Sequence, residues 1–160
     1  MTTKTLPPLH EHPFIENEFQ PQHIEKLKAL AREVRFEPDQ IIFREGDEAH
    51  DFYLVVSGRV ALEIVAAPGK TLRVHTLTAG DELGWSALLM GSGKYFQARA
   101  LGAVEALAFD GATLLEACKT DTSLGYTLMH RLLAVVAERL QATRLQVIDS
   151  YSTVAKRAGA

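Results

Sequence analysis

Ile41-Ile42-Phe43-Arg44-Glu45-Gly46-Asp47 and, a few residues on, Phe52-Tyr53-Leu54-Val55-Val56-Ser57-Gly58-Arg59-Val60 decide the fold of this chain. Each is a short apolar run that ends at a glycine, and the second restarts at once with Val60. Such runs read as strands, because β-branched and aromatic side chains suit a pleated surface and glycine supplies the positive φ of a tight reversal. Similar runs follow at 60–65, 72–77 and 104–109, with Gly69 and Gly80 between them, and Pro68-Gly69 marks a hairpin. The region from Val34 to Asp110 is therefore expected to form an antiparallel sandwich or roll. Between Leu83 and Ala98 the spacing breaks: residues 85–90 read as one or two helical turns and Gly91-Ser92-Gly93 as a loop.

Helical patterns frame this region. Pro21 suits a first helical turn, and Ile24, Leu27, Leu30 and Ala31 then share one face. Beyond it, Asp110 is placed to cap a short helix through Cys118, and Asp121 to cap a long one over about 122–150. At 1.5 Å per residue the second would extend roughly 40 Å, more than the β-module needs. On it Met129, Leu133, Val136, Leu140, Thr143 and Val147 recur at alternating spacings of four and three, the heptad rhythm of a coiled coil. Leu128, Leu132 and Val135 form a neighbouring stripe. One face is expected to pack on the roll and the other to meet a second copy in a homodimer; a single broad face docked within one chain is the alternative.

The expected fold is thus α+β, mainly β: an antiparallel β-roll of the jelly-roll type with an N-terminal helix, a short helix after Leu83 and a long C-terminal helix. It is expected over residues 19–152, with a flexible tail at 1–18 and another at 153–160. A length of 160 residues and an apolar share of 47% suit one domain with a real core. A net charge of -3 provides no overall positive field to collect nucleic acid. No apolar run approaches the roughly 18 residues of a membrane span, and residues 1–13 lack the charged start and apolar core of a secretory signal. A soluble cytoplasmic protein is expected.

Metal and catalytic constellations are sparse. His10-Glu11-His12 is followed by no further ligands at helix or hairpin spacing, so a tail is the better reading. His23, His50, His75 and His130 fall on different elements and assemble neither a metal site nor a catalytic set. A cupin-like metal enzyme would need a His-x-His pair with a Glu and a later His, and the predicted strands hold His75 alone. Cys118, the single cysteine, has no intrachain partner and lies beside Leu114, Leu115 and Ala117 as a packed small hydrophobe. Neither a metal nor an enzymatic activity is expected.

The strand runs quoted above, together with Gly80-Asp81-Glu82-Leu83-Gly84, Ala87-Leu88-Leu89 and Arg99-Ala100-Leu101, resemble the cyclic nucleotide-binding domain family. Its members include catabolite-activator-type regulators, cyclic-nucleotide-dependent kinases and gated channels. The resemblance covers nearly everything after the first 18 residues. It implies that Leu83, Gly84, Trp85, Ser86, Lys94 and Tyr95 lie in a phosphate-binding cassette, where backbone N–H groups and one arginine hold a cyclic phosphate. The family's run is Gly-Glu-x-Ala-Leu-Leu, then Pro-Arg-Ser or Thr-Ala. Here Gly84, Ala87, Leu88 and Leu89 fit, but Trp85 replaces the glutamate and Gly93-Lys94 the proline-arginine pair. Tyr95 and Phe96 replace the small residues.

A hydrogen bond to a carboxylate contributes about 1.5 to 3 kcal/mol, so loss of the ribose-reading glutamate alone weakens binding by roughly ten- to a hundredfold or more. Lysine lacks the two-pronged grip of arginine on phosphate. The expectation is a cassette intact in shape that does not bind cAMP or cGMP tightly. Trp85 has two readings, a platform for a ligand base or a plug in an empty pocket; Lys94 attracts an anion or is merely solvated; the facing of Arg99 is open. A non-enzymatic regulatory or sensor module follows, whose pocket shifts the long helix only if a ligand prefers one helix arrangement. The alternatives are a working cAMP or cGMP binder, a ligand-free dimeric platform and the cupin-like enzyme. A cyclic nucleotide or another small anion is the one ligand class implied. Transcription factors of the family continue into a DNA-reading helix-turn-helix, whereas only residues 151–160 remain here, so neither direct DNA binding nor a membrane partner is expected.

Overall fold

The structure, a computed structural model, describes residues 6–48, 50–89 and 96–159. In chain order, α1 (Pro21–Leu30) leads into β1 (Arg32–Phe36), β2 (Ile41–Phe43), β3 (Asp51–Ser57), β4 (Val60–Ala67), β5 (Lys70–Leu77) and β6 (Glu82–Leu83). A short 3-10 turn, Trp85–Leu88, precedes β7 (Gln97–Ala100) and β8 (Val104–Asp110), and two helices close the chain, α2 (Gly111–Thr120) and α3 (Thr122–Ala158). The strands form two four-stranded antiparallel sheets, β1-β8-β3-β6 and β2-β7-β4-β5. The α+β, mainly β, roll expected from the glycine punctuation is the fold observed. The Pro68-Gly69 hairpin joins β4 to β5, with Gly69 at φ 75°.

Alternation along β3 and β8 builds a layered core. Phe52 and Leu54 of β3, with Leu107 and Phe109 of β8, point away from the second sheet toward a helical layer that includes Leu27, Leu114, Leu124, Leu128, Leu132 and Val135. Tyr53 and Val55, with Val104, Ala106 and Ala108, point into the space between the sheets and meet Val60, Leu62, Leu77, Leu83 and Ala98. Both helix caps form as expected: Asp110 accepts from the Thr113 N–H at 2.9 Å and Asp121 from the Leu124 N–H at 3.2 Å.

Two boundaries differ from the sequence reading. Residues 6–18, expected as part of a flexible tail, are packed: Leu9, Phe14 and Ile15 are buried in the helical layer, and Phe14 touches both Phe19 and Phe52. Burial of these large apolar side chains outweighs the entropy of ordering a proline-rich segment. At the other end α3 continues through Ala158, so 153–158 belongs to the helix and not to a tail. At 37 residues, α3 is about 55 Å long. Its buried residues are Leu124, Gly125, Leu128, Leu132 and Val135, and its distal half extends past them, exposed.

Candidate functional site

Gly84 makes the site possible. Its left-handed backbone (φ 81°, ψ 29°) turns the chain sharply out of β6 into the 3-10 turn, a conformation that costs a residue with a Cβ about 1 kcal/mol or more. The Ala87 N–H closes the turn on the Gly84 carbonyl at 3.0 Å. This turn sits directly on the start of α2, since a Cβ on Gly111 would stand 2.5 Å from the Ala87 carbonyl oxygen. Leu88 and half-buried Trp85 pack into the helical layer.

Four of the expected ligand residues, Leu83, Gly84, Trp85 and Ser86, come together around one space, joined by Phe43, Leu62, Phe96 and Arg139. That space is about 20 Å³, enough for about one water. Lys94 and Tyr95 lie outside the described residues. Arg139, which sequence reasoning left unassigned, reaches in from α3.

Glu82, 6% exposed, precedes Leu83 on the strand that opens the cassette. The Arg139 guanidinium donates from Nη2 to both the carboxylate and the backbone carbonyl of Glu82. Burial pushes the Glu82 carboxyl up to about 7 in spite of the neighbouring guanidinium. The pair thus bolts α3 to the cassette wall through a charge that is costly to keep dry.

Arg99 faces the other way. It pairs with Glu63 at 3.1 Å on the outer side of its sheet, opposite Leu62 and Ala98, and Gln97 donates to the same carboxylate at 3.2 Å. Burial alone would raise Glu63, but the bonds from Gln97 and Arg99 hold it below the usual carboxylate range. Arg99 therefore anchors strands and does not enter the cassette.

The His10-Glu11-His12 triplet is explained by packing. His12 is buried; its Nδ1 accepts from the Phe14 N–H at 3.1 Å and its Nε2 donates to the Val55 carbonyl at 2.8 Å, so both ring nitrogens are engaged. Burial lowers its pKa. Among the described residues no group of three His, Cys, Asp or Glu side chains could hold a metal ion. Burial likewise raises the Cys118 thiol, as for a packed hydrophobe. Of the proposed dimer seam, Met129, Leu133, Leu140, Thr143 and Val147 are exposed and Val136 is half-buried. Thr143, however, lies beside its own roll, with Oγ1 3.4 Å from His75 Nε2.

The family profile described as "cyclic nucleotide-binding domain" matches residues 33–121, more than half of the chain. The chain belongs to the cyclic nucleotide-binding domain family. Among solved structures, a cyclic nucleotide-binding domain from Methylobacillus flagellatus superposes with a TM-score of 0.75 at 17% identity, covering 82% of this chain and 74% of that one. The N-terminal domain of a transcriptional regulator from Streptomyces coelicolor gives 0.66 at 21% identity, covering 88% and 95%. The regulatory subunit of a cAMP-independent protein kinase A from Trypanosoma brucei gives 0.66 at 20% identity, covering 90% and 47%. At these identities the likeness is one of fold. No curated protein gives a significant match. Among the described residues no helix is long and apolar enough to cross a membrane.

The Glu82–Arg139 pair was the part of the site missed from sequence. Its members are 57 positions apart, and a carboxylate in a strand and an arginine on a helix carry no spacing signal until the fold brings them together.

Proposed function

We propose that this domain is a non-enzymatic regulatory module that has kept the family's cassette frame without tight binding of cAMP or cGMP, and that its output is the position of α3. The observation that carries this reading is how little space is left among the described residues of the cassette. Ligand pockets for drug-sized molecules run to about 300 Å³ or more, whereas the space walled by Leu83, Gly84, Trp85, Ser86, Phe96 and Arg139 is about 20 Å³. Trp85, where the family has glutamate, supplies bulk in place of a ribose acceptor. The fold is shared with the regulatory subunit of a kinase that its name calls cAMP-independent, which agrees with a cassette frame serving other inputs.

The exposed stripe of α3 supports a homodimer as the assembly through which the signal passes. Isothermal titration calorimetry with cAMP and with cGMP tests the reading: no heat of binding at micromolar concentrations is expected, and a low-micromolar Kd for either nucleotide would end it. The same small space favours a second reading, a ligand-free interaction platform. Native mass spectrometry separates the two, because a co-purifying small molecule supports a sensor and its absence the platform.

A further inference from the structure

His12 holds the segment before α1 through two hydrogen bonds of opposite sense. Its Nε2 donates to the Val55 carbonyl at 2.8 Å, a tie to β3 across 43 positions of sequence. Its Nδ1 accepts from the Phe14 N–H at 3.1 Å, which shapes the bend that carries Phe14 into the helical layer. Together they require the neutral ring with its proton on Nε2. A second proton has only Nδ1 to go to, and there it would aim a donor at a donor.

We propose that His12 is a proton-sensitive clasp: as the neutral ring it fastens residues 6–19 to β3 and α3, and as the cation it favours their release. The device is separate from the cassette and goes beyond the reading of its ligand selectivity.

The sign follows from the origin of the burial. His12 is 7% exposed because the segment that carries it is docked, so lifting that segment returns the ring to water and to its ordinary value of 6.5. In the docked arrangement burial lowers the pKa. The released segment therefore binds a proton more readily than the docked one, and acidification below 6.5 shifts the balance toward release. Two charged groups on other elements face the ring: Asp81, just ahead of β6, opposes the shift, and Arg131 of α3 reinforces it. Glu11 is the neighbouring charge on the segment itself and lines the same groove as His12. Arg131 is also the second fastening, since Nε donates to the Phe14 carbonyl at 3.2 Å and Nη2 to the Pro13 carbonyl at 3.3 Å. A charged His12 is thus repelled by the same guanidinium that holds the next two carbonyls. The buried side chains of Leu9, Phe14 and Ile15 favour docking at every pH, so the clasp sets how often the segment opens and does not unfold it outright.

Hydrogen exchange of the full chain, corrected for intrinsic rates, tests this at about pH 7.5 and about pH 5.5. Residues 6–19 are expected to open more often than β8 at either pH, and at least about threefold more often at the lower one. His12→Gln supplies one donor and one acceptor without a titrating group and should give equal opening at both. Arg131→Gln loses a fastening and a repelling charge, so it should open more often throughout yet show a smaller ratio between the two pH values. Direct NMR titration of the His12 ring in the wild type must fall below 6.5, a measurement that needs no variant to fold. A wild-type ratio near one, opening of 6–19 only together with β8, an acid rise that persists in His12→Gln, or a ring that titrates at or above 6.5 overturns the clasp. Tight cAMP binding would defeat the proposed ligand selectivity and leave the clasp standing, whereas a pH-independent segment would do the reverse.

Discussion

A carboxylate that is 6% exposed must be compensated, and at Glu82 the compensation is incomplete. Its pKa in the fold, about 7, lies above the ordinary value of 4.5, so between those limits the folded protein holds a proton that the unfolded chain gives up. The stability linked to Glu82 is thus fully present below about pH 4.5 and is lost as the pH rises through 7. Glu82→Gln removes this dependence, and urea denaturation should show the variant gaining on the wild type steadily from pH 5 to pH 8. A constant difference across that window would mean that Glu82 is ionised throughout. His12 acts in the opposite sense: burial lowers its pKa, so its contribution is lost on acidification below about 6.5. Comparing wild type with Glu82→Gln cancels that term.

The elements around the cassette differ in how far the sequence disclosed them. Strands were legible because Gly46, Gly58, Gly69 and Gly80 all take positive φ at turns between apolar runs. Both helix starts were legible from Asp110 and Asp121. The N-terminal segment was not, because Leu9, Phe14, Ile15 and Phe19 follow neither a helical nor a strand period and lie among prolines. They are set in place by a 3-10 turn, by His12, and by Arg131, whose Nε donates to the Phe14 carbonyl at 3.2 Å while the guanidinium lies 5.4 Å from the Phe14 ring centre. Phe14→Ala should therefore cost about 3–5 kcal/mol in chemical denaturation, as for a buried phenylalanine; a loss below about 1 kcal/mol would return the segment to the status of a tail. At the cassette, the contact between the 3-10 turn and α2 was equally silent, since a glycine opening a helix reads as ordinary. Gly111→Ala places a methyl group against Ala87 and should destabilise by about 1–3 kcal/mol through overpacking, with a shift of Trp85 emission that a change remote from the turn would not produce.

For the molecule as a whole, the question is what covers α3. Its inner face is satisfied by the roll, but Tyr126, Met129, Leu133, Leu140, Val147, Ile148, Tyr151 and Val154 remain exposed. Met129 and Val147, Leu133 and Tyr151, and Val136 and Val154 are pairs separated by about five helical turns, so the exposed stripe runs straight along the helix and does not wind around it. A straight stripe on both partners fits two α3 helices packed side by side, each covering the other. In the proposed homodimer the distal helix, with no core of its own, gains its stability from that contact, because an isolated segment of such length is marginal in water. Leu133→Glu combined with Leu140→Glu puts two charges into the stripe and should convert a dimer to a folded monomer in sedimentation velocity, with an apparent Kd raised at least about a hundredfold. Thr143→Ala should leave the assembly state unchanged, because Thr143 turns toward His75 on its own roll. A wild-type chain that sediments as a monomer at tens of micromolar would show instead that the stripe awaits a different partner.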